Sequence, residues 1–257
     1  MFHSWILISL LISAVTYVIF REKGWLPKKS IRGKHIYLTG AGSGLGRGMA
    51  LKLAKLGANL TLCDINEAGL LETKLIIKKE TGRDQNILTI KVDVSNRSEI
   101  SESAKLCKSR FGKVDILINN AGIIQGKQIL DLNEKLASKC FTINCESHLW
   151  LIREFLADMI TEDSGQIVSV ASMAGIAGNA YMADYCASKF GAVGLQESLR
   201  IEMKLARKNV VCTTICPYMI NTGMFEGAKG SMIFPFLEAE YVIQRMTNAI
   251  LQQEEDV

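Results

Sequence analysis

From Lys34 onward, short runs of β-branched and apolar residues alternate with amphipathic stretches, and this alternation leaves few folds open. The strand-like runs are HIYLTG from His35, NLTLCD from Asn59, ILTIKVDV from Ile87, DILINNAG from Asp115, QIVSVAS from Gln166 and VVCTTICP from Val210. Helical patterns fill the gaps at Leu45 to Leu56, around Ala68 to Lys79, around Arg97 to Phe111, from about Glu134 to Met159, from about Ala183 to Ala206, and from about Glu238 to Gln253. Parallel strands need a crossover long enough to hold a helix, so strand and helix in alternation predict βαβ units. The expected fold class is α/β, a doubly wound parallel sheet, in one domain over residues 33–257. An irregular apolar loop after Pro217, with Met219, Met224, Phe225, Met232, Phe234 and Phe236, is long enough to suggest a functional role.

Ahead of this domain, Ser4 to Phe20 carries no charge and is nearly all apolar after the serine. As a helix it reaches about 26 Å, slightly less than the roughly 30 Å hydrocarbon core, which suits a short span or a monotopic anchor. The basic residues follow the apolar run and no small-residue cleavage site is present, so the segment reads as retained rather than as a signal peptide. Residues 1–20 are the expected membrane anchor and 21–32 a basic juxtamembrane linker. Arg21, Lys23, Lys28, Lys29, Arg32 and Lys34 crowd on its C-terminal side, which predicts a domain on the cytosolic face. The formal charge of +4 is more than accounted for by these six, leaving the rest of the chain slightly acidic. That argues against nucleic acid, which needs a basic stripe on the folded body, and for contact with lipid headgroups.

The seven cysteines lie scattered in apolar stretches without metal-ligand spacing, as do the three histidines. They predict reduced core thiols and no metal site.

The first strand runs into TGAGSGLG, Thr39 to Gly46, which opens a helix. Glycines here allow a tight turn and close approach to phosphate, while the helix N-terminus offers unpaired N–H groups and a positive dipole, as a dinucleotide pyrophosphate requires. Candidate cofactor residues in the loop are Gly40, Ser43, Gly44, Leu45 and Gly46. Asp64 ends the second strand, where its carboxylate can accept from the adenosine ribose hydroxyls and repel a 2′-phosphate. Neither Ser43 nor Gly44 is basic, so NAD is expected over NADP.

The TGxxxGxG spacing resembles the short-chain dehydrogenase/reductase family, which implies a Rossmann-type sheet. In that resemblance Asp93 and Val94 match the adenine-contacting pair. Asn119, Asn120, Ala121 and Gly122 match the NNAG signature that stabilises the sheet and lines the cofactor. Pro217 and Thr222 match the loop that meets the nicotinamide carboxamide.

Ser172, Tyr185 and Lys189 follow in order, with Asn144 upstream. On a helix Tyr185 and Lys189, at i and i+4, share one face. A tyrosine near pKa 10 is a poor base at neutral pH, and lowering it by about three units requires roughly 4 kcal/mol of preferential stabilisation of the phenolate. Lys189 and the nicotinamide ring are the expected sources. The resemblance implies that Tyr185 exchanges a proton with the substrate oxygen, Ser172 orients that oxygen, Lys189 also holds the nicotinamide ribose, and Asn144 positions a water in the relay.

Over residues 33–257 the segments ADYCASKF and NTGMFEG, together with the N-terminal anchor, are similar to the 16C-type group of this family. That group holds epidermal-type retinol dehydrogenases and membrane or lipid-droplet 17-beta-hydroxysteroid dehydrogenases. The resemblance implies oxidation or reduction of a lipophilic alcohol/carbonyl pair, all-trans-retinol first, with a steroid or long-chain alcohol as alternatives. It places the protein at the endoplasmic reticulum membrane or a lipid droplet, with a homodimer among its expected partners. Relatives continue past the last helix into another strand, so an exposed sheet edge is expected after QQEED, and a catalytically weak NAD-binding scaffold is the second function class.

Overall fold

A computed structural model describes the backbone of residues 2–221 and 236–257 and the side chains of 12–221 and 236–257. Six strands, β1 (His35–Thr39), β2 (Asn59–Asp64), β3 (Ile87–Lys91), β4 (Ile116–Asn119), β5 (Gly165–Val170) and β6 (Val210–Ile215), form one sheet. Their order is β3-β2-β1-β4-β5-β6, and every pairing is parallel. Sheets covered on both faces need apolar residues on both, and the central strands obey: β1 and β4 are buried at every position. The sheet is doubly wound, with its order reversing between β1 and β4.

The helices are α1 (Phe2–Glu22), α2 (Gly44–Lys55), α3 (Glu67–Thr81), α4 (Arg97–Phe111), α5 (Glu134–Phe141), α6 (Ser147–Thr161), α7 (Ala183–Leu205) and α8 (Ala239–Gln252). Asparagine caps three of them: Asn66, Asn96 and Asn133 each accept a hydrogen bond from a first-turn amide of α3, α4 and α5. One core lies under α2, α3 and α8, built on Ile36, Leu38, Leu53, Leu60, Leu62 and Met246. A second, under α4, α6 and α7, is built on Tyr37, Leu117, Phe155, Ile167, Leu199 and Met203. Helix α2 approaches α8 closely because Gly48 has no side chain; a Cβ there would stand 2.2 Å from Cδ1 of Ile243.

Two expectations change. The single helix from Glu134 to Met159 is in fact α5 and α6 joined by one π turn, Thr142–Glu146, because the Asn144 side chain draws the chain toward Ile123. The sheet edge expected to be bare is partly covered. The chain's last residues run parallel to β6, with a bridge between Thr214 and Asp256 and backbone bonds from Thr214 N to Glu255 O, Val257 N to Thr214 O and Cys216 N to Val257 O.

Helix α1 runs on to Glu22, and Ile12, Val15, Tyr17, Val18, Ile19 and Phe20 on it are exposed. Among the described residues no helix is long and apolar enough to cross a membrane; the side chains of residues 1–11 of the expected anchor lie outside them. The end of α1 is clasped to α8: Arg21 pairs with Glu254, Arg245 pairs with both Glu22 and Glu254, and Lys29 N donates to Leu251 O. The seven cysteines are free thiols, five of them buried.

Candidate active site

The carboxyl ends of β1, β4 and β5 meet where the strand order reverses, which is where open α/β sheets hold ligands. After Thr39 the chain turns through Gly40, at φ +66°, and enters α2. A Cβ on Gly46 would lie 1.9 Å from Gly40 O, so the loop closes only with glycine there, and one on Gly42 would lie 2.9 Å from Cγ of Asp64 and push that carboxylate aside. Ser43 caps α2 without a side-chain hydrogen bond, and Ser43 and Gly44 are exposed. Leu45 turns back into the core. The outcome is a backbone cradle at a helix N-terminus, with the chemistry a pyrophosphate needs.

Asp64 stands beside that cradle. Its Oδ2 accepts from Gly42 N at 2.8 Å and its Oδ1 from Asn66 N at 2.9 Å, and each oxygen keeps a lone pair for a further donor. Asp93, by contrast, is thoroughly engaged: Oδ1 accepts from Ser95 N and Oγ, and Oδ2 from Lys139 Nζ at 3.2 Å. Burial pushes its carboxyl up, but the bonds from Ser95 and Lys139 outweigh this and hold it below the usual range. Val94 beside it is buried. In the NNAG segment, the Asn120 amide donates to Thr39 O at 2.9 Å and to Gly40 O at 3.2 Å. The backbone N–H groups of Asn120 and Ala121 donate to the Thr39 hydroxyl. Thr39 thus ties the β4 exit to the glycine loop, a role the sequence reading missed.

The four residues expected to do chemistry come together. Tyr185 and Lys189 lie on α7, Ser172 follows β5, and Asn144 sits in the π turn; all four are buried. Lys189 Nζ donates to Val170 O at 2.8 Å and lies 5.7 Å from the centre of the Tyr185 ring. Gly122 backs onto the same group, since a Cβ on it would be 3.2 Å from Asn144 Oδ1 and 3.6 Å from Lys189 Nζ. Asn144 Oδ1 accepts from Ile123 N at 2.8 Å, while its amide nitrogen donates to Ile123 O at 2.9 Å and Ser188 Oγ at 3.0 Å. Its amide nitrogen is thus taken up by protein partners, while Oδ1 keeps a lone pair for a further donor. Ser188, not singled out from the sequence, completes this group by donating to Tyr185 O at 2.7 Å.

Burial pushes the Tyr185 phenol up to about 12, against the hydrogen bond from Ser172, which favours the phenolate. Burial lowers Lys189 to about 8. The environment of the protein alone thus raises the tyrosine, opposite to the lowering that base chemistry needs; a positively charged ring held beside it would favour the phenolate. Ser172 also accepts from Ala174 N at 3.1 Å, and Met173 N donates to Pro217 O at 3.0 Å, joining the Ser172 and Pro217 segments. Thr222, the remaining expected cofactor contact, lies outside the described residues, as does most of the apolar loop after Pro217.

The family model of the short chain dehydrogenases matches residues 34–231. The chain is 45% identical over 230 residues to short-chain dehydrogenase/reductase family 16C member 6 of Bos taurus, covering 88% of this chain and 72% of that protein. To human epidermal retinol dehydrogenase 2 it is 42% identical, covering 88% of this chain and 74% of that one. Human retinol dehydrogenase 10 is 36% identical, with 88% and 75% covered. Among solved structures, a short chain dehydrogenase/reductase from Burkholderia phymatum in complex with NAD superposes with a TM-score of 0.80 at 28% identity, covering 89% of each chain.

Proposed function

The chain belongs to the short-chain dehydrogenase/reductase family, and from that premise we propose that it is an NAD-dependent oxidoreductase acting on a lipophilic alcohol, with all-trans-retinol as substrate and retinal as product. The observation that carries the reading is the convergence of Asn144, Ser172, Tyr185 and Lys189 beside a glycine cradle with no room for side chains. The cradle and Asp64 fit a dinucleotide, and a nicotinamide group bound there would supply the hydride acceptor.

This chain's own residues hold the substrate and move its proton. Tyr185 takes the proton from the alcohol oxygen as the hydride leaves carbon, and returns it in the reverse direction. Ser172, which favours the phenolate of Tyr185, orients the same oxygen. Lys189, fixed by Val170 O, favours the phenolate and reaches the nicotinamide ribose. Asn144 acts chiefly by fixing Ile123 and Ser188, so that Gly122 and α7 keep their places. Asp64 selects the unphosphorylated ribose.

The retinoid preference rests on similarity to epidermal retinol dehydrogenase 2 and retinol dehydrogenase 10; steroids and long-chain alcohols are the alternatives. The exposed apolar residues of α1 and the basic cluster after it support contact with the endoplasmic reticulum membrane or a lipid droplet, with the domain facing the cytosol. Exposed Phe141 and Phe190 support pairing of two copies across α5 and α7.

The test is to follow NADH formation by the full chain in membranes with retinol, estradiol and a long-chain alcohol. Fastest turnover of retinol is expected. Faster turnover of estradiol or the alcohol overturns the retinoid assignment, and NAD binding without turnover of any of them replaces the enzyme by a scaffold.

A further inference from the structure

We propose that Arg47 and Glu72, neither of them part of the glycine motif or the catalytic group, set the adenosine-end specificity of the dinucleotide site. The inference rests on the reading of that site as a dinucleotide cradle.

Arg47 follows Gly46 on α2, and its side chain folds back over the loop. Its Nη2 donates to Gly42 O at 2.6 Å and to Glu72 Oε2 at 2.6 Å, and its Nε to Thr73 Oγ1 at 3.1 Å. Thr73 is fully buried, and its hydroxyl lies 2.9 Å from Ala41 O and from Gly69 O. The Gly42 residue is therefore gripped on both sides, with its N–H on Asp64 Oδ2 at 2.8 Å and its carbonyl on Arg47. That carbonyl also faces α3 where Gly69 has no side chain: a Cβ on Gly69 would lie 2.7 Å from it.

Two consequences follow. The guanidinium and the carboxylate that faces the ribose are linked through one residue, so Arg47 positions the loop against which Asp64 is oriented. It is also a cation that shares Gly42 with that carboxylate, and a free guanidinium within reach of a 2′-phosphate would be its ordinary recognition group. Glu72 engages that cation. Discrimination against the phosphorylated ribose thus draws on two carboxylates: Asp64, which repels the phosphate, and Glu72, which occupies the guanidinium that would attract it. The Arg47 side chain is 25% exposed and that of Glu72 61%, so solvent screens the pair and the effect is modest, at about threefold, within the range of partly exposed ion pairs.

The experiment is calorimetric titration of NAD and of NADP into the full chain, with no turnover required. Glu72→Gln is expected to improve NADP binding relative to NAD by about threefold. Arg47→Met should weaken NAD binding by about tenfold through loss of the grip on Gly42, with the corresponding loss in turnover falling on KM for the dinucleotide rather than on kcat. Arg47→Lys, which keeps charge but cannot span Gly42, Glu72 and Thr73 together, should also weaken NAD binding; it serves if the methionine variant folds poorly. A wild type that binds NAD, with a selectivity ratio unmoved by Glu72→Gln and NAD affinity unmoved by Arg47→Lys, overturns this inference. A wild type that binds neither dinucleotide overturns the cradle reading on which it rests.

Discussion

The Lys189 ammonium stands 5.7 Å from the centre of the Tyr185 ring, one helical turn further along α7. It is 3% exposed, its hydrogen-bond acceptor is the Val170 carbonyl, and burial lowers it to about 8. A lysine whose folded pKa lies below its unfolded value disfavours folding at low pH, and the penalty is relieved as pH rises from about 8 toward 10.5. Lys189→Met should therefore raise stability at pH 7, by on the order of 2 kcal/mol, while turnover collapses. Thermal unfolding at pH 7 and at pH 10 checks this: the gain in Tm should shrink at the higher pH.

His148 gives a pH dependence of the same sign in a more acidic window. It is buried, with Nδ1 3.0 Å from Ser169 Oγ, and burial lowers it to about 3. The unfolded chain takes up a proton near pH 6.5 and the folded one near pH 3, so stability is complete above 6.5 and is lost progressively as pH falls between the two. His148→Gln should flatten that acid slope in denaturant titrations between pH 7 and 4, whatever it does to stability at neutral pH. An unchanged slope would show that other groups control acid unfolding.

Asn144→Ala removes the acceptor for Ile123 N and the donor to Ile123 O and Ser188 Oγ. An orphaned buried amide costs about 1–3 kcal/mol, and the π turn loses its reason to exist. The expected outcome is a Cm shift in urea of that size together with a fall in kcat. Retained stability would mean that the turn is set by packing alone.

Deleting residues 1–20 leaves Arg21 and Glu22 in place, and with them the ion pairs to Glu254 and Arg245. The truncated protein should leave alkali-washed membranes yet titrate with NAD as the full chain does, because the first strand and its glycine loop begin later. Continued pelleting would move the membrane contact to the apolar loop after Pro217.

The order of strands and helices was legible because apolar period and glycine punctuation survive in a single sequence; so was the grouping of Tyr185 with Lys189, which needs only helical spacing. The π turn was not, since nothing in TINCE announces it: it arises from Asn144 reaching Ile123, a contact 21 residues away in sequence. Thr39 and Ser188 were missed for a related reason. Each is a common small residue whose role comes from the partner that folding brings to it. The tyrosine's raised pKa was invisible as well, because burial is a property of the fold, whereas the sequence reading weighed only the neighbouring positive charges.

The central claim is that Tyr185 carries the proton in alcohol oxidation. Tyr185→Phe keeps the ring, which packs with Cys140, Ala174 and Cys186, and removes only the hydroxyl. Steady-state NADH formation with retinol, measured beside calorimetric NAD binding on the same protein, separates chemistry from folding and from cofactor affinity. Turnover is expected to fall by about a thousandfold, a loss in the middle of the range for removing one acid/base group, with NAD affinity largely retained; turnover within about threefold of wild type would contradict the proton role of Tyr185.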